Sequence, residues 1–291
     1  MLSKILIATD ASEASTRMVE CLGHLKTVGA HEALLVHVFD VENVGGLYGS
    51  FREFYVPRIE EQRRMLDSQG LSASFELPLG FPEYEINRLV ENNGIQLIVS
   101  GSRGYSRVKE MFLGSTAFRI LNSARVPVLL IRLELIERAG KDECHVICED
   151  LFHHILHPTD FSDTSKRAYQ YLEHIVKETR CAVTLLHVHD PMLLQSHIVR
   201  EIEEKAEEVT TRRLERRREQ LLKLGAASVE LLVETGHPAL KIIERAREGG
   251  RSLILMGTQG KGFVKELFLG SVSHNVARRA PLPVLFVPAE R

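Results

Sequence analysis

Short runs of aliphatic and β-branched residues punctuate this chain at regular intervals, and longer stretches with helical periodicity separate them. In the first half the apolar runs are 5–9, 33–39, 74–77, 97–100 and 126–131, each short enough for a strand. Ser12 or Ser15 can cap a helix running to about Val28, and Pro82 suits the first turn of a helix over 83–92 that Asn93-Gly94 would end. Five strands that are apolar on both faces, alternating with four helices, predict an α/β fold with a parallel sheet covered on both sides.

The same order then repeats. KILIATDAS from Lys4 returns as HILHPTDFS from His154, and LLVHVFD from Leu34 returns as LLHVHD from Leu185. GFPEYEINRL from Gly80 matches GHPALKIIER from Gly236, and GSRGYSRVKEMFLGS from Gly101 matches GTQGKGFVKELFLGS from Gly257. Self-similarity of this kind means two copies of one unit. The expected layout is a first domain over 1–135, a packed linker over 136–152 and a second domain over 153–291. The extra length of the second copy falls in a charged helix over 198–224, where Ile198, Ile202, Ala206, Val209 and Leu214 make an apolar stripe.

Composition narrows the function classes. The chain has 291 residues, 44% hydrophobic and 26% charged, with a net charge of −2, so no general attraction to nucleic acid or an anionic membrane is expected. No apolar run is long enough to span a bilayer and no secretory leader is apparent, so the cytoplasm is the expected compartment. Four sparse cysteines (Cys21, Cys144, Cys148, Cys181) do not look like a disulfide framework. The Cys144, His145, Cys148, His153, His154, His157 stretch lacks the usual zinc-knuckle spacing, and His157 falls in a predicted strand.

Candidate chemistry gathers where strands end, since ligands of doubly wound sheets bind at the carboxyl edge. Asp10 and Asp160 close strand one, and Val38 and Val188 close strand two. A G-x2-G-x9-G-S pattern begins as strand four ends: Gly101, Gly104, Gly114, Ser115, and again Gly257, Gly260, Gly270, Ser271. Glycines let the backbone turn with positive φ and approach an anion, and Gly114-Ser115 or Gly270-Ser271 opens a helix whose free N–H groups favour negative charge. The serine hydroxyl can cap that helix or bond a phosphate oxygen. Ser102, Arg103 and Thr116 flank the first loop, as Thr258, Gln259 and Val272 flank the second. Arg103 is equally suited to gripping a phosphate or facing solvent. GTQGKG is not a Walker A loop, because its lysine is not followed by Ser or Thr at the required spacing. No nucleophile–base pair and no paired carboxylates stand beside the loops, which is weak ground for hydrolysis.

The glycine–serine spacing, PTDFS at Pro158 and the His-Val dipeptide ending strand two together resemble the universal stress protein family, over nearly all of both copies. The resemblance implies a tandem member of that family's ATP-binding branch. It implies two Rossmann-like sheets, of the type of the adenine-nucleotide alpha hydrolases, each in strand order 3-2-1-4-5. By the same resemblance Asp10 and Asp160 would contact adenosine, and Val38 and Val188 would meet adenine through their backbone. Ala8-Thr9 and Pro158-Thr159 would lie beneath, and the glycine–serine loops would hold ribose and phosphates. The implied ligand is ATP, ADP or AMP in each copy, with which a magnesium ion could travel. A slow ATP hydrolase or nucleotide-dependent transferase is the alternative left open. Family members pair through the last strand, so 126–131 and 283–287 could pair within one chain, and homodimers could form the same way. A protein partner is implied but not identified.

Overall fold

The structure is a computed structural model, and it describes residues 2–44, 48–102, 113–138, 141–147, 150–190, 199–260 and 269–290. The first repeat runs β1 (Lys4–Ala8), α1 (Glu13–Glu20), a 3-10 helix (Leu22–Val28), β2 (Glu32–Val36), β3 (Phe39–Asp40), α2 (Val41–Val44) and α3 (Tyr48–Ser68). It continues through β4 (Ser72–Glu76), β5 (Leu79–Gly80), α4 (Pro82–Asn93), β6 (Leu97–Gly101), α5 (Ser115–Ser123) and β7 (Val128–Arg138). A strand β8 (Lys141–Ile147) folds back on β7 as an antiparallel hairpin, so part of the segment between the repeats is sheet. The second repeat follows as β9 (His154–Pro158), α6 (Asp163–Thr179), β10 (Ala182–His189), α7 (Val199–Lys223), β11 (Ser228–Thr235), α8 (Pro238–Ala246), β12 (Leu253–Gly257), α9 (Ser271–Arg279) and β13 (Val284–Val287).

The main sheet is ordered β11-β10-β9-β12-β13-β7-β6-β1-β2-β4. Counted within each repeat this is 3-2-1-4-5, twice, as the family resemblance implied. All contacts within a repeat's five strands are parallel, and the two halves join antiparallel where Val284, Leu285 and Phe286 pair with Leu130, Leu129 and Val128. The last strands therefore pair within one chain, which removes one edge from each half-sheet. One apolar cluster, with Ile5, Ile7, Leu35 and Val99, lies under α1, α3 and α6. The other, with Leu6, Val36, Ile98 and Phe286, lies under α4, α5, α8 and α9. Successive residues of each central strand thus feed opposite faces, as a doubly covered sheet requires.

Polar contacts also tie the repeats together. Arg132, only 3% exposed, donates to the carbonyls of Ala277 (3.4 Å) and Arg278 (3.0 Å), where the last turn of α9 leaves acceptors open. Leu269 N donates to Asn122 Oδ1 at 3.0 Å, and Phe118 meets His274 edge-on at 5.5 Å.

Several local expectations change. The helix expected to reach Val28 ends at Glu20 and continues as a 3-10 helix, stopped by Gly29 at φ 100°. On α7, Val209 is 48% exposed; the buried face is Thr210, Leu214 and Leu221, with Arg217 half-buried between them. The steps of four, three and four along that set follow the helix period, whereas Val209 sits one residue off the stripe. The Ile198, Ile202 and Ala206 side chains lie outside those described. Cys181 is free and buried, but Cys21 is disulfide-bonded, to a partner outside the described side chains. The sparse, irregular spacing argued against a disulfide framework; a bridge at Cys21 is consistent with α1 packing against β8, which brings distant segments together. Among the described residues no helix is long and apolar enough to cross a membrane.

Candidate functional site

The turn after strand one is the same in both repeats. Thr9 Oγ1 accepts from Ala11 N at 3.0 Å, and Asp10 Oδ1 accepts from Ser12 N (3.1 Å) and Ser12 Oγ (2.5 Å). These bonds hold Ala11 at φ 52°, an unusual conformation for a residue with a Cβ. Ser12 in turn caps α1 by accepting from Ser15 N. In the second repeat Phe161 N bonds Thr159 Oγ1 at 3.1 Å and Asp160 Oδ1 takes Ser162 N and Oγ at 3.0 and 2.6 Å, with Phe161 at φ 59°. The turn consumes Oδ1 of each aspartate. Oδ2 of Asp10 is buried without a hydrogen-bond partner, a costly state for a carboxylate oxygen unless a ligand donates to it.

Beneath the turn the repeats diverge. Thr9 Oγ1 lies 2.8 Å from Gln62 Oε1 and 3.0 Å from Ser15 Oγ, a neutral network. In the second repeat Arg217 takes the place of Gln62, donating to Thr159 Oγ1 at 2.9 Å and lying over Phe161 and Tyr169. Ala8 and Pro158 also differ in consequence. The ladder between β1 and β6 runs on to Ala8–Ser100, whereas that between β9 and β12 stops at Leu156–Ile254, because Pro158 has no N–H to give. The imidazole of His157 substitutes: its Nδ1–H donates to Leu255 O at 2.8 Å from a fully buried position. In the first repeat that position is Ile7. His157 is therefore structural, as is His154, whose Nε2 lies 2.8 Å from Thr184 Oγ1. Burial holds the His157 imidazole far below its ordinary pKa, at about 3.

Strand two ends differently in the two repeats. β2 stops at Val36, short of Val38, because the partner position carries Pro78; pairing resumes as β3 with β5 at Phe39–Leu79. In the second repeat β10 passes through Val188, paired with Glu234, so Val188 lies within the strand rather than at its end. His37 and His187 each point Nδ1 at a carbonyl, of Thr9 (2.9 Å) and Thr159 (2.6 Å), which fixes that nitrogen as the donor. Burial pulls the His37 pKa down, against the Thr9 carbonyl and the charge of Asp10, which pull it up.

After strand four, Ser102 N donates to Ile131 O at 2.8 Å and Gly114 N returns to Ser102 O at 2.9 Å, as Gly270 N does to Thr258 O at 2.8 Å. Gly114 and Gly270 are the N-caps of α5 and α9, with φ near −60° and no side chain to cap with. The serines are thus the first helical residues, both exposed, and do not cap. Neither cap glycine has a positive φ; at Gly270 the approach is close, since a Cβ there would lie 3.2 Å from Thr258 O. A Cβ at Gly257 would lie 2.9 Å from Thr164 Cγ2, and one at Gly260 2.7 Å from Asp160 Oδ2. Arg103, Gly104, Tyr105, Lys109 and Lys261 lie outside the described residues.

These pieces enclose a cavity of about 400 Å³ at the carboxyl edge of the first repeat. It brings together the predicted Ala8, Thr9, Asp10, Val38, Gly101, Gly114, Ser115 and Thr116, while buried Ser102 lies behind them. It also contains residues not singled out from sequence: Met18, Asp40, Pro82, Ile86, Ser100 and Arg119. Arg119 is the cation among the described lining residues, 3.5 Å from Glu83, one helical turn beyond Ser115. That i, i+4 spacing on a helix opened by Gly114 was the signal that could have found it.

Comparison with known proteins agrees with this architecture. A family model described as the universal stress protein family matches residues 1–132 and again 151–288. A solved universal stress protein from Archaeoglobus fulgidus DSM 4304 is 26% identical, superposes with a TM-score of 0.72, and covers 99% of this chain and 97% of its own. Universal stress protein YxiE of Bacillus subtilis (strain 168) is 31% identical over 148 residues, 99% of its length but 47% of this chain. Universal stress protein MJ0577 of Methanocaldococcus jannaschii is 28% identical over 155 residues, 96% of its length and 45% of this chain. Two matched segments, each the size of a whole single-unit relative, place this chain in the universal stress protein family as a member with two repeats in tandem.

Proposed function

We propose that this chain binds an adenine nucleotide (ATP, ADP or AMP) at the carboxyl-edge crevice and serves as a nucleotide-dependent stress-response module of the cytoplasm. The observation that carries this reading is the first-repeat cavity. It has an unpartnered buried carboxylate oxygen, Asp10 Oδ2, on one side and the uncapped start of α5 at Gly114–Ser115 on the other. Its volume falls in the range of small-ligand sites, about 300–1,000 Å³. A ribose hydroxyl is the kind of donor that would satisfy Oδ2, and the N–H groups at the start of α5, with Arg119, suit phosphate oxygens. The apolar wall of Val36, Val38, Pro82 and Ile86 suits a base. Magnesium would arrive with the nucleotide.

Calorimetric titration with ATP, ADP and AMP, with and without magnesium, tests the reading. Saturable heat from at least one of them is expected. No saturable heat from any would sink it.

A further inference from the structure

Two cysteines stand where the first helix meets the hairpin between the repeats. Cys21 is the C-cap of α1, half-buried against the apolar cluster that contains Met18, Val19, Leu22 and Leu133. It is disulfide-bonded, while Cys181 is free. The sequence has four cysteines, so the other half of the bridge is Cys144 or Cys148. Strand register decides between them. Along β7, Leu129, Ile131 and Leu133 belong to the cluster under α1, whereas Val128 and Leu130 belong to the opposite one. Leu135 continues that alternation on the α1 side, and Leu135 is the residue that pairs with Cys144. Residues directly opposite in an antiparallel pair share a face, so Cys144 stands on the face of the hairpin that meets α1. β8 packs against α1 accordingly, and Cys148 lies past its end at Ile147.

From this placement we infer that Cys21 and Cys144 are a reversible thiol–disulfide pair, a redox-modification site that fastens the inter-repeat hairpin to α1 when oxidised and frees it when reduced. The oxidant class is a small disulfide. The thiolate of one cysteine attacks a sulfur of that disulfide, which forms a mixed disulfide and expels one small thiol. The second thiolate attacks the protein sulfur of the mixed disulfide, which forms the bridge and expels the other small thiol. Two protein thiols are oxidised and one small disulfide is reduced to two thiols. In the cytoplasm proposed above, bridges of this kind are transient and redox-sensing rather than permanent. Half-exposure also keeps Cys21 within reach of a small thiol, in contrast to Cys181, which is 5% exposed and whose burial pushes its thiol pKa up. The clip is specific to the first repeat, since Tyr171 takes the place of Cys21 in the second. It lies behind the first crevice, which α1 lines with Ser15 and Met18 and β7 with Leu133, so oxidation ties two of its walls together. The inference goes beyond the nucleotide reading and does not depend on it.

Equilibrating the full chain in glutathione buffers of graded ratio, trapping free thiols with iodoacetamide and mapping peptides without reduction tests the pairing. A linked peptide pair containing Cys21 and Cys144 is expected in oxidised buffer, lost in excess reduced glutathione and regained on return. Cys148→Ser and Cys181→Ser should retain it, and Cys21→Ser should abolish it. Hydrogen exchange by mass spectrometry reads the clip itself. Amides of Lys141–Ile147 should exchange about tenfold or more slowly in the oxidised chain, and at the reduced chain's rate in Cys21→Ser under either buffer. No bridge, or one to Cys148 or Cys181, overturns the pairing. A bridge that survives excess reduced glutathione overturns the reversibility, and equal exchange in the two forms overturns the clip.

Discussion

Lowering the pH from 7.5 to 5.0 should destabilise this protein in a way that traces to one buried imidazole. His157 is fully buried, with Nδ1–H committed to Leu255 O and Nε2 lacking a partner, so a second proton would place an unpaired charge in the core. Its pKa is about 3 in the folded chain, against 6.5 for the free side chain. Because the folded value is the lower, the unfolded chain takes up the proton first as pH falls. The stabilisation is fully present above 6.5 and is lost progressively between 6.5 and 3. At pH 5.0 the unfolded imidazole is almost fully protonated and the folded one is not. With 1.36 kcal/mol per pKa unit, the gap of 1.5 units between 6.5 and 5.0 costs about 2 kcal/mol. At pH 7.5 the cost is nearly zero. The control is His157→Ile with Pro158→Ala, which installs the Ile7-Ala8 pair of the first repeat and restores the N–H that the strand ladder lacks. The chain has no tryptophan, so urea unfolding is best followed by far-ultraviolet circular dichroism at the two pH values. The unmodified chain should lose about 2 kcal/mol more than the double variant over that interval, since the other titrating groups are common to both. Equal losses would refute the assignment of His157 as a buried neutral donor.

Other outcomes follow from the same geometry. Arg132→Ala should cost about 2–4 kcal/mol in urea unfolding, because it strips donors from the buried carbonyls of Ala277 and Arg278 at the junction of the repeats. Val209→Glu on the exposed side of α7 should change stability by less than about 0.5 kcal/mol, whereas Leu214→Ala on the buried side should cost about 2–5 kcal/mol. Arg119→Ala should weaken ATP binding more than AMP binding in parallel titrations, as the loss of a cation beside the start of α5 acts on the additional phosphates.

Much of the fold was legible because the chain states it twice. Five apolar runs in fixed order, seen again about 150 residues on, specify two doubly covered sheets with little ambiguity. The aspartate after strand one was legible for the same reason, since Asp10 and Asp160 stand at equal places in matching motifs. What the pattern hid was the work of particular side chains in three dimensions. The motif glycines suggested backbone freedom, yet Gly114 and Gly270 adopt ordinary negative φ, and what Gly257, Gly260 and Gly270 show is a tight space for a Cβ. Pro158 for Ala8 looked like a small change in the pocket floor. It ends a strand ladder early and requires a buried histidine to supply the missing donor. Val38 was expected at a strand end, but Pro78, in the break between β4 and β5, halts β2 two residues before it. Arg119 and Ser100 escaped notice because each becomes part of the crevice only when α5 and β6 are folded against strand one.

Hydrogen exchange by mass spectrometry, with and without saturating ATP and magnesium, tests the central claim most directly. Peptides covering Thr9–Ser12 and Gly114–Ala117 should gain protection. Unchanged exchange at Thr9–Ser12 and Gly114–Ala117 under saturating nucleotide would contradict the assignment of the first-repeat crevice as the site.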